Sequence, residues 1–397
     1  MSGDTVRRDS AIDFVRGAGI LMIAVDHLAY LAEKFDSPDF VNPFITWLRI
    51  GWSSAAEFFV FFSGYLVGVV YLKTLETHGA WLTWARAGQR AWHIYVINLL
   101  TLCAVFLMLH APIFANAAFF EITDMNRLFG PAAADNLFGF LKLQFAPMFF
   151  EILGLYVVFL LLAPAVLLGA RFSPVAVIAG SFVLWLLVQL HVTSSFTPRM
   201  AASQSFNPFA WQLVFVLGML AGTHRVFDWI RQRFSRRSVL MVTGGLLLLA
   251  LVLKTLEKLY PSLPFAVAEN EKMNLGPMQL AHFLVSVVFV MHVVPRSASA
   301  QGRLAFRAVA GVGRRSLECF CLSTIFAYAA NGLLVQSNSF DVISMLLAGA
   351  VMVVLVCAAA PVIEWVERKP WRAQKRVDAK TERIETLSVQ LSPRNVP

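Results

Sequence analysis

The sequence predicts an all-α protein, a polytopic bundle of about ten transmembrane helices with both termini in the cytoplasm. Of its 397 residues, 58% are hydrophobic and only 14% are charged, whereas soluble domains carry about 25% charged residues. The apolar residues come in blocks of about 20, the length that crosses a ~30 Å hydrocarbon core. Lys and Arg alternate in abundance from loop to loop with a roughly three-to-one bias, which orients the helices with the richer loops inside.

The apolar blocks define the elements in order along the chain. We predict a transmembrane domain over residues 1–363, followed by a polar and basic cytoplasmic tail over 364–397 that lacks the hydrophobic residues to fold alone. The long aromatic loop 113–145 is interpreted as a cover over the outer mouth of the bundle. The predicted spans are 12–31, 53–72, 92–112, 146–169, 173–192, 208–224, 239–255, 279–295, 316–336 and 342–363.

The net charge of +9 is explained by this topology, so the sequence does not indicate nucleic-acid binding. The four cysteines all lie in apolar segments, which argues against a disulfide framework. Neither a CxxC nor a histidine pair with metal-ligand spacing is present, and no metal is expected. The first span is interpreted as retained, because no small-residue cleavage site follows it.

The first span carries charged groups that a lipid-facing helix does not tolerate. Arg16 and His27 are 11 residues apart, about three turns, which places them on one face and roughly 16 Å apart along the axis. Ionisable residues inside a span usually face a partner or a polar cavity. We therefore interpret this face as part of a polar path, in which Arg16 holds an anionic ligand near the cytoplasm and His27 acts as a general base near the outer side.

Structural alternatives exist for each of these residues. Arg16 would also be tolerated if its guanidinium reached the inner headgroups. His27 would be tolerated as an interhelical hydrogen bonder. Asp26 points about 100° away from its neighbour His27; it either supports the catalytic site or pairs with a cation on another helix.

Arg86 and Arg90 lie four residues apart in "WARAGQRAWHIY" and share one helix face. They are candidates for holding the phosphates of a cytoplasmic anionic donor; the alternative is ordinary positive-inside anchoring. Glu57 either orients a polar partner such as Arg16 or His27 or lies at the membrane interface. Ser63 and Gly64 are interpreted as a site of close helix packing rather than as a nucleophile. Glu57 and Ser63 are also candidates for binding the substrate.

Two further residues are candidates for binding a substrate near the outer side. Trp211 is interpreted first as an anchor at the membrane surface, with stacking on a sugar ring as the alternative. His282 lies near the outer end of its span and is a candidate for lining the same cavity as His27.

The residues also resemble a known family. "RDSAIDFVRGAGILMIAVDH" at 8–27 and "AEFFVFFSGYLVG" at 56–68 are similar to the OpgC family, within the larger superfamily of integral-membrane acyltransferases. That superfamily shares an Arg, ten residues and a His in the first span, matched by Arg16 and His27, and a Phe-Ser-Gly motif matched at 62–64. Further similar stretches are "NPFAWQLVFVLG" at 207–218, "KMNLGPMQLAHFL" at 272–284 and "GRRSLECFCLST" at 313–324. The chain departs from the pattern at Gly154 and Gln279.

The resemblance implies an O-succinyltransferase-like enzyme of the bacterial inner membrane. It would transfer a succinyl group from a cytoplasmic acyl-CoA, with no permanently bound cofactor, to an osmoregulated periplasmic glucan. The sequence leaves two alternatives open: a transporter or flippase for a sugar or a lipid-linked substrate, and a non-enzymatic partner of a glucan synthase. It does not fix the acyl group, the acceptor or the oligomeric state.

Overall fold

The structure, a computed structural model, describes residues 9–35, 42–44, 51–114, 116–192, 206–260 and 273–369. Within these ranges it contains fourteen α-helices and no strand, which confirms the all-α prediction. From residue 370 on, the predicted tail lies outside the described residues. The helices are α1 Ser10–Lys34, α2 Ala55–Leu109, α3 Ala117–Ile122, α4 Ala133–Leu141, α5 Glu151–Phe172, α6 Pro174–Gln189, α7 Pro208–Thr223, α8 Val226–Arg233, α9 Arg236–Leu259, α10 Pro277–Val293, α11 Ala298–Gln301, α12 Leu304–Arg314, α13 Ser316–Ser337 and α14 Val342–Arg368.

By length and composition this is a multi-pass membrane protein. Among the described residues, six helices are long and apolar enough to cross a membrane, and α7 with α8 forms a seventh candidate that is bent by 64°. Helices α6 and α10 are apolar but shorter. The total of ten spans and the orientation of the termini stay predictions.

Helix α2 accounts for two of the predicted spans. Its 55 residues correspond to roughly 80 Å of helix, far more than the ~30 Å of a hydrocarbon core. Gly79 interrupts it with φ 80° and ψ 177°, a backbone conformation that L side chains rarely adopt. The glycine thus separates two helical arms, 55–78 and 80–109, which match the predicted second and third spans.

The first arm of α2 packs against α7 through glycines on both helices. A Cβ atom added to Gly64 or Gly68 would lie well under 3.0 Å from a backbone carbonyl of α7, and one added to Gly218 or Gly222 would meet α2 in the same way. Small residues four apart let two membrane helices approach this closely. The prediction that the Ser63–Gly64 segment permits close packing is confirmed.

Helix α1 lies in the centre of the bundle and packs against α2, α12, α13 and α14. Its contact with α12 is the tightest, because Gly17 and Gly313 leave no room for a Cβ between the two backbones. The predicted spans 279–295 and 316–336 leave the residues of α12 in a basic loop between them, and the prediction of a loop is wrong. They form a short helix that is part of the bundle and that supplies contacts to Arg16.

Ion pairs gather where α1 begins, and we call this the basic end of the bundle. Arg296 pairs with Asp9 at 2.9 Å, and Arg314 pairs with Glu364 at 3.5 Å. The opposite, aromatic end is where α1 finishes. There the segment 112–150 packs its rings on α1 and α13, with Phe119 against Tyr328 and Phe149 against His27.

Candidate active site

Arg16 is bound between α1 and the junction of α12 with α13. Its Nη1 donates to the carbonyl of Gly313 at 3.0 Å, and its Nη2 donates to the hydroxyl of Ser316. The Gly313 carbonyl lies in the last turn of α12, where no intrahelical donor follows. These contacts hold the half-buried guanidinium inside the bundle, so the alternative that Arg16 reaches out to the headgroups is wrong.

His27 lies between two aromatic rings at the other end of the same helix. Its imidazole stacks on Phe149 with ring centroids 3.7 Å apart and planes 9° apart, and Phe320 of α13 meets it edge-on at 6.2 Å. Its Nδ1 is buried and has no hydrogen-bond partner among the described residues. The alternative of a satisfied interhelical hydrogen bonder therefore does not fit this nitrogen. Asp26 is half-buried beside it.

Both side chains face α13, since Arg16 contacts Ser316 and His27 contacts Phe320. Between them runs a row of three rings: Tyr156, Phe59 and Phe320. Phe59 lies 5.5 Å from Phe320 and 6.3 Å from Tyr156.

The Tyr156 hydroxyl contacts Ser63, and the positive charges of Arg16 and Arg90 interact electrostatically with the Tyr156 side chain. This tyrosine therefore joins the basic end to the aromatic row. Arg16 and His27 do not line the cavity around Arg231, Arg236 and Arg296 or the apolar groove along α1. A polar path that connects Arg16 to His27 stays a prediction.

Arg86 and Arg90 lie just beyond the Gly79 break, at the start of the second arm of α2. Arg86 donates to the Thr74 hydroxyl at 2.9 Å, across the break. Both guanidiniums are exposed, and both act on Tyr71, which is buried. Their placement suits an anion that approaches from outside the bundle toward Tyr71 and Tyr156, while their role in holding a donor stays a prediction.

Glu57 is fully buried at the start of α2, where it belongs to a capping box. Its carboxylate accepts hydrogen bonds from the Ser54 backbone N–H at 2.9 Å, from the Ser54 hydroxyl at 2.6 Å and from the amide of Gln279 on α10. The polar partner of the carboxylate on another helix is Gln279 rather than Arg16 or His27, and full burial argues against an exposed position at the interface. Its role is to fix the start of α2 against α10.

His282 forms a pair with Ser53 that sequence reasoning did not find. Its Nδ1 lies 2.7 Å from the Ser53 Oγ and 3.2 Å from the Ser53 backbone nitrogen. Because a backbone N–H can only donate, Nδ1 is the acceptor and the serine hydroxyl also donates to it. Gly51 lies directly against the ring, where any Cβ would overlap the imidazole.

Trp211 is only 1% exposed, and its indole N–H donates to the carbonyl of Met273 at 3.0 Å. The prediction of an anchor at the membrane surface is wrong, because the ring is buried against Phe206. Its stacking on a sugar stays a prediction. The sequence also did not single out Phe149 and Phe320, whose positions depend on how distant segments meet.

Comparison with known proteins supplies one family. The family model described as OpgC protein matches residues 8–368, nearly the whole chain. Comparisons with curated proteins and with solved structures return no match.

Proposed function

The chain belongs to the OpgC protein family, and from this membership we propose that it is a membrane acyltransferase that modifies a glucan. We further propose that it transfers a succinyl group from succinyl-CoA to a hydroxyl of a periplasmic glucan. The basic end then lies in the cytoplasm of a bacterium and the aromatic end faces the periplasm, which agrees with the positive-inside rule.

The observation that carries this proposal is the buried Nδ1 of His27, which has no partner among the described residues. A buried polar nitrogen without a partner costs about 1–3 kcal/mol, and a substrate hydroxyl, which can donate or accept, would relieve that cost. In the proposed reaction, Nδ1 takes the proton of the sugar hydroxyl while its oxygen attacks the thioester carbonyl. The carbon–sulfur bond then breaks, and the departing thiolate takes the proton from the imidazolium, so that CoA leaves as a thiol.

The basic end supplies the features that an anionic donor needs. Arg16, held by Gly313 and Ser316, fixes a guanidinium charge that would attract a negative group of the donor. Arg86 and Arg90 extend the positive charge to the exposed surface. Tyr156 and Ser63 lie between these arginines and the aromatic row, along the direction that the acyl arm would take toward His27.

The test uses the purified full chain in a neutral detergent with succinyl-CoA and periplasmic glucan. Release of the CoA thiol that depends on glucan, together with a mass increase of the glucan by one succinyl group, is the expected result. The bend of 64° between α7 and α8 is the observation that favours the runner-up, because broken helices are common in transporters. A transporter or flippase would move substrate across proteoliposomes without releasing CoA, and that outcome would replace the proposal.

A further inference from the structure

A cavity of about 280 Å³ lies at the basic end, away from Arg16 and His27. Three arginines and one histidine supply its polar lining: Arg231 of α8, Arg236 of α9, His292 of α10, and Arg296, which follows α10. The charges of all three guanidiniums act on the His292 ring. Arg236 and Arg296 are exposed and Arg231 is half-buried, so the three positive charges surround the buried His292 from the solvent side and attract an anion there.

Existing contacts hold these guanidiniums in place. Arg231 donates to Asp228 at 3.0 Å, and Arg296 donates to Asp9 at 2.9 Å. Arg236 donates to the carbonyl of His292 at 3.0 Å, in the last turn of α10. Each guanidinium carries five N–H donors in a planar group, so donors remain after these bonds. Two aspartates oppose these three arginines, and Asp228 also pairs with Arg225 at 3.1 Å, so positive charge exceeds negative charge around the cavity.

His292 provides the second, independent indication of a ligand. The residue is 5% exposed, and its Nε2 is buried without a hydrogen-bond partner among the residues that the structure describes. Its Nδ1 lies 2.7 Å from the carbonyl of Val288, which can only accept, so Nδ1 carries a proton. A phosphodiester oxygen carries no proton near neutral pH and can only accept, so Nε2 would donate to it from the imidazolium form of the ring.

An apolar groove of about 110 Å³ adjoins this cavity, and Val294 lines both. The groove follows α1 from Phe14 to Met22, roughly 12 Å, and reaches Ala55 and Phe58 at the start of α2. It is lined by apolar residues and glycine along its whole length, which suits a hydrocarbon chain.

We propose that the cavity binds the phosphodiester of a membrane phospholipid, with one acyl chain of that lipid in the groove along α1. The adjoining apolar groove distinguishes a phospholipid from CoA, which has no long hydrocarbon chain to fill it. Arg231, Arg236 and Arg296 hold the phosphate oxygens by charge-assisted hydrogen bonds. This binding is separate from acyl transfer and does not depend on it.

The test is native mass spectrometry of the full chain in dodecyl maltoside with added dioleoyl phosphatidylglycerol. Arg236→Gln is expected to weaken binding about tenfold or more, the effect of losing a hydrogen bond to a charged group. The matched control is Arg237→Gln, which removes the same charge from the next residue of α9, a residue that does not line the cavity, and it should stay within about twofold of the wild type. His292→Phe leaves the arginine contacts with the α10 carbonyls intact and should also weaken binding, so the proposal does not depend on one variant that fails to fold.

A chain-length comparison tests the groove. Ala18→Trp, which fills the groove, is expected to weaken binding of the dioleoyl lipid and to leave binding of dihexanoyl phosphatidylglycerol unchanged. Equal binding by the wild type, Arg236→Gln and His292→Phe would overturn the proposal, because the lipid would then lie elsewhere on the surface. Displacement of the lipid from the wild type by equimolar CoA would also overturn it and would assign the cavity to a soluble nucleotide.

Discussion

Replacing His27 by phenylalanine separates chemistry from stability. The native imidazole stacks on Phe149 at 3.7 Å and meets Phe320 edge-on. A phenylalanine ring in the same place keeps both contacts, and such ring pairs contribute about 0.5–1.5 kcal/mol. At the same time the substitution removes the buried Nδ1, which has no partner among the described residues, and an unpaired buried polar atom costs about 1–3 kcal/mol. His27→Phe is therefore expected to raise the free energy of unfolding by about 1–2 kcal/mol while it removes the proposed base.

The expected loss of activity is large, because general bases contribute about 10²- to 10⁴-fold to the rate. Glucan-dependent release of CoA by the purified variant measures this loss, and thermal unfolding followed by tryptophan fluorescence measures the stability. The matched control is His110→Phe, at an exposed histidine that follows α2 and bonds to the Phe106 carbonyl at 2.7 Å. This control should keep activity within about twofold, since surface substitutions rarely change the protein by more than ~0.5 kcal/mol.

Two results would contradict the proposed role of His27. Wild-type CoA release by His27→Phe would show that the imidazole takes no proton in the reaction. A variant that is both inactive and clearly less stable than the wild type would show that Nδ1 makes a stabilising contact, and the argument from its missing partner would then fail.

Three further predictions follow from the packing and the hydrogen bonds. Gly218→Ala places a Cβ well under 3.0 Å from the Phe61 carbonyl and should lower the free energy of unfolding by about 1–3 kcal/mol, which a thermal melt measures. The control is Gly245→Ala, where nothing lies within 4 Å of the added Cβ, and it should be neutral or stabilising in the same melt. Arg16→Lys cannot reproduce the paired contacts of the guanidinium with Gly313 and Ser316. The kcat/KM for the acyl-CoA should therefore fall about tenfold or more. An unchanged kcat/KM would show that Arg16 does not belong to the donor site. Glu57→Ala leaves buried donors unpaired and should cost about 1–3 kcal/mol per donor, whereas an unchanged melting temperature would show that the cap is dispensable.

The sequence predicts the helices well because apolar blocks of membrane length are a one-dimensional signal. Periodicity also places Arg16 and His27 on one face of α1, and both indeed face α13. Prediction from the sequence fails where the role of a segment depends on the helix that it packs against. The residues of α12 have the composition of a basic loop, yet Gly313 packs against α1 and presents its carbonyl to Arg16.

The partners of His27 show the same limit more strongly. Phe149 lies in a segment that we assigned to the start of the fourth span, but that helix begins only at Glu151. Phe149 itself has φ 72°, an uncommon backbone conformation for a residue with a bulky side chain. No periodicity signals such a conformation, so the ring that covers the imidazole could be found only after the segment was placed against α1.

Hydrogen-bond satisfaction sorts the buried polar groups of this bundle better than residue type does. Glu57 and His282 were candidates because they are ionisable residues in or near spans, but the structure gives the Glu57 carboxylate three donors and the His282 Nδ1 two. Their contacts join α2 to α10, and groups bonded in this way have little capacity left for a substrate. His27 and His292 each retain a buried nitrogen without a partner in the described part of the chain. Because leaving a polar atom unpaired is costly in a low-dielectric interior, these two nitrogens are the places where a ligand would contribute most, a hydroxyl at the aromatic end and a phosphate at the basic end.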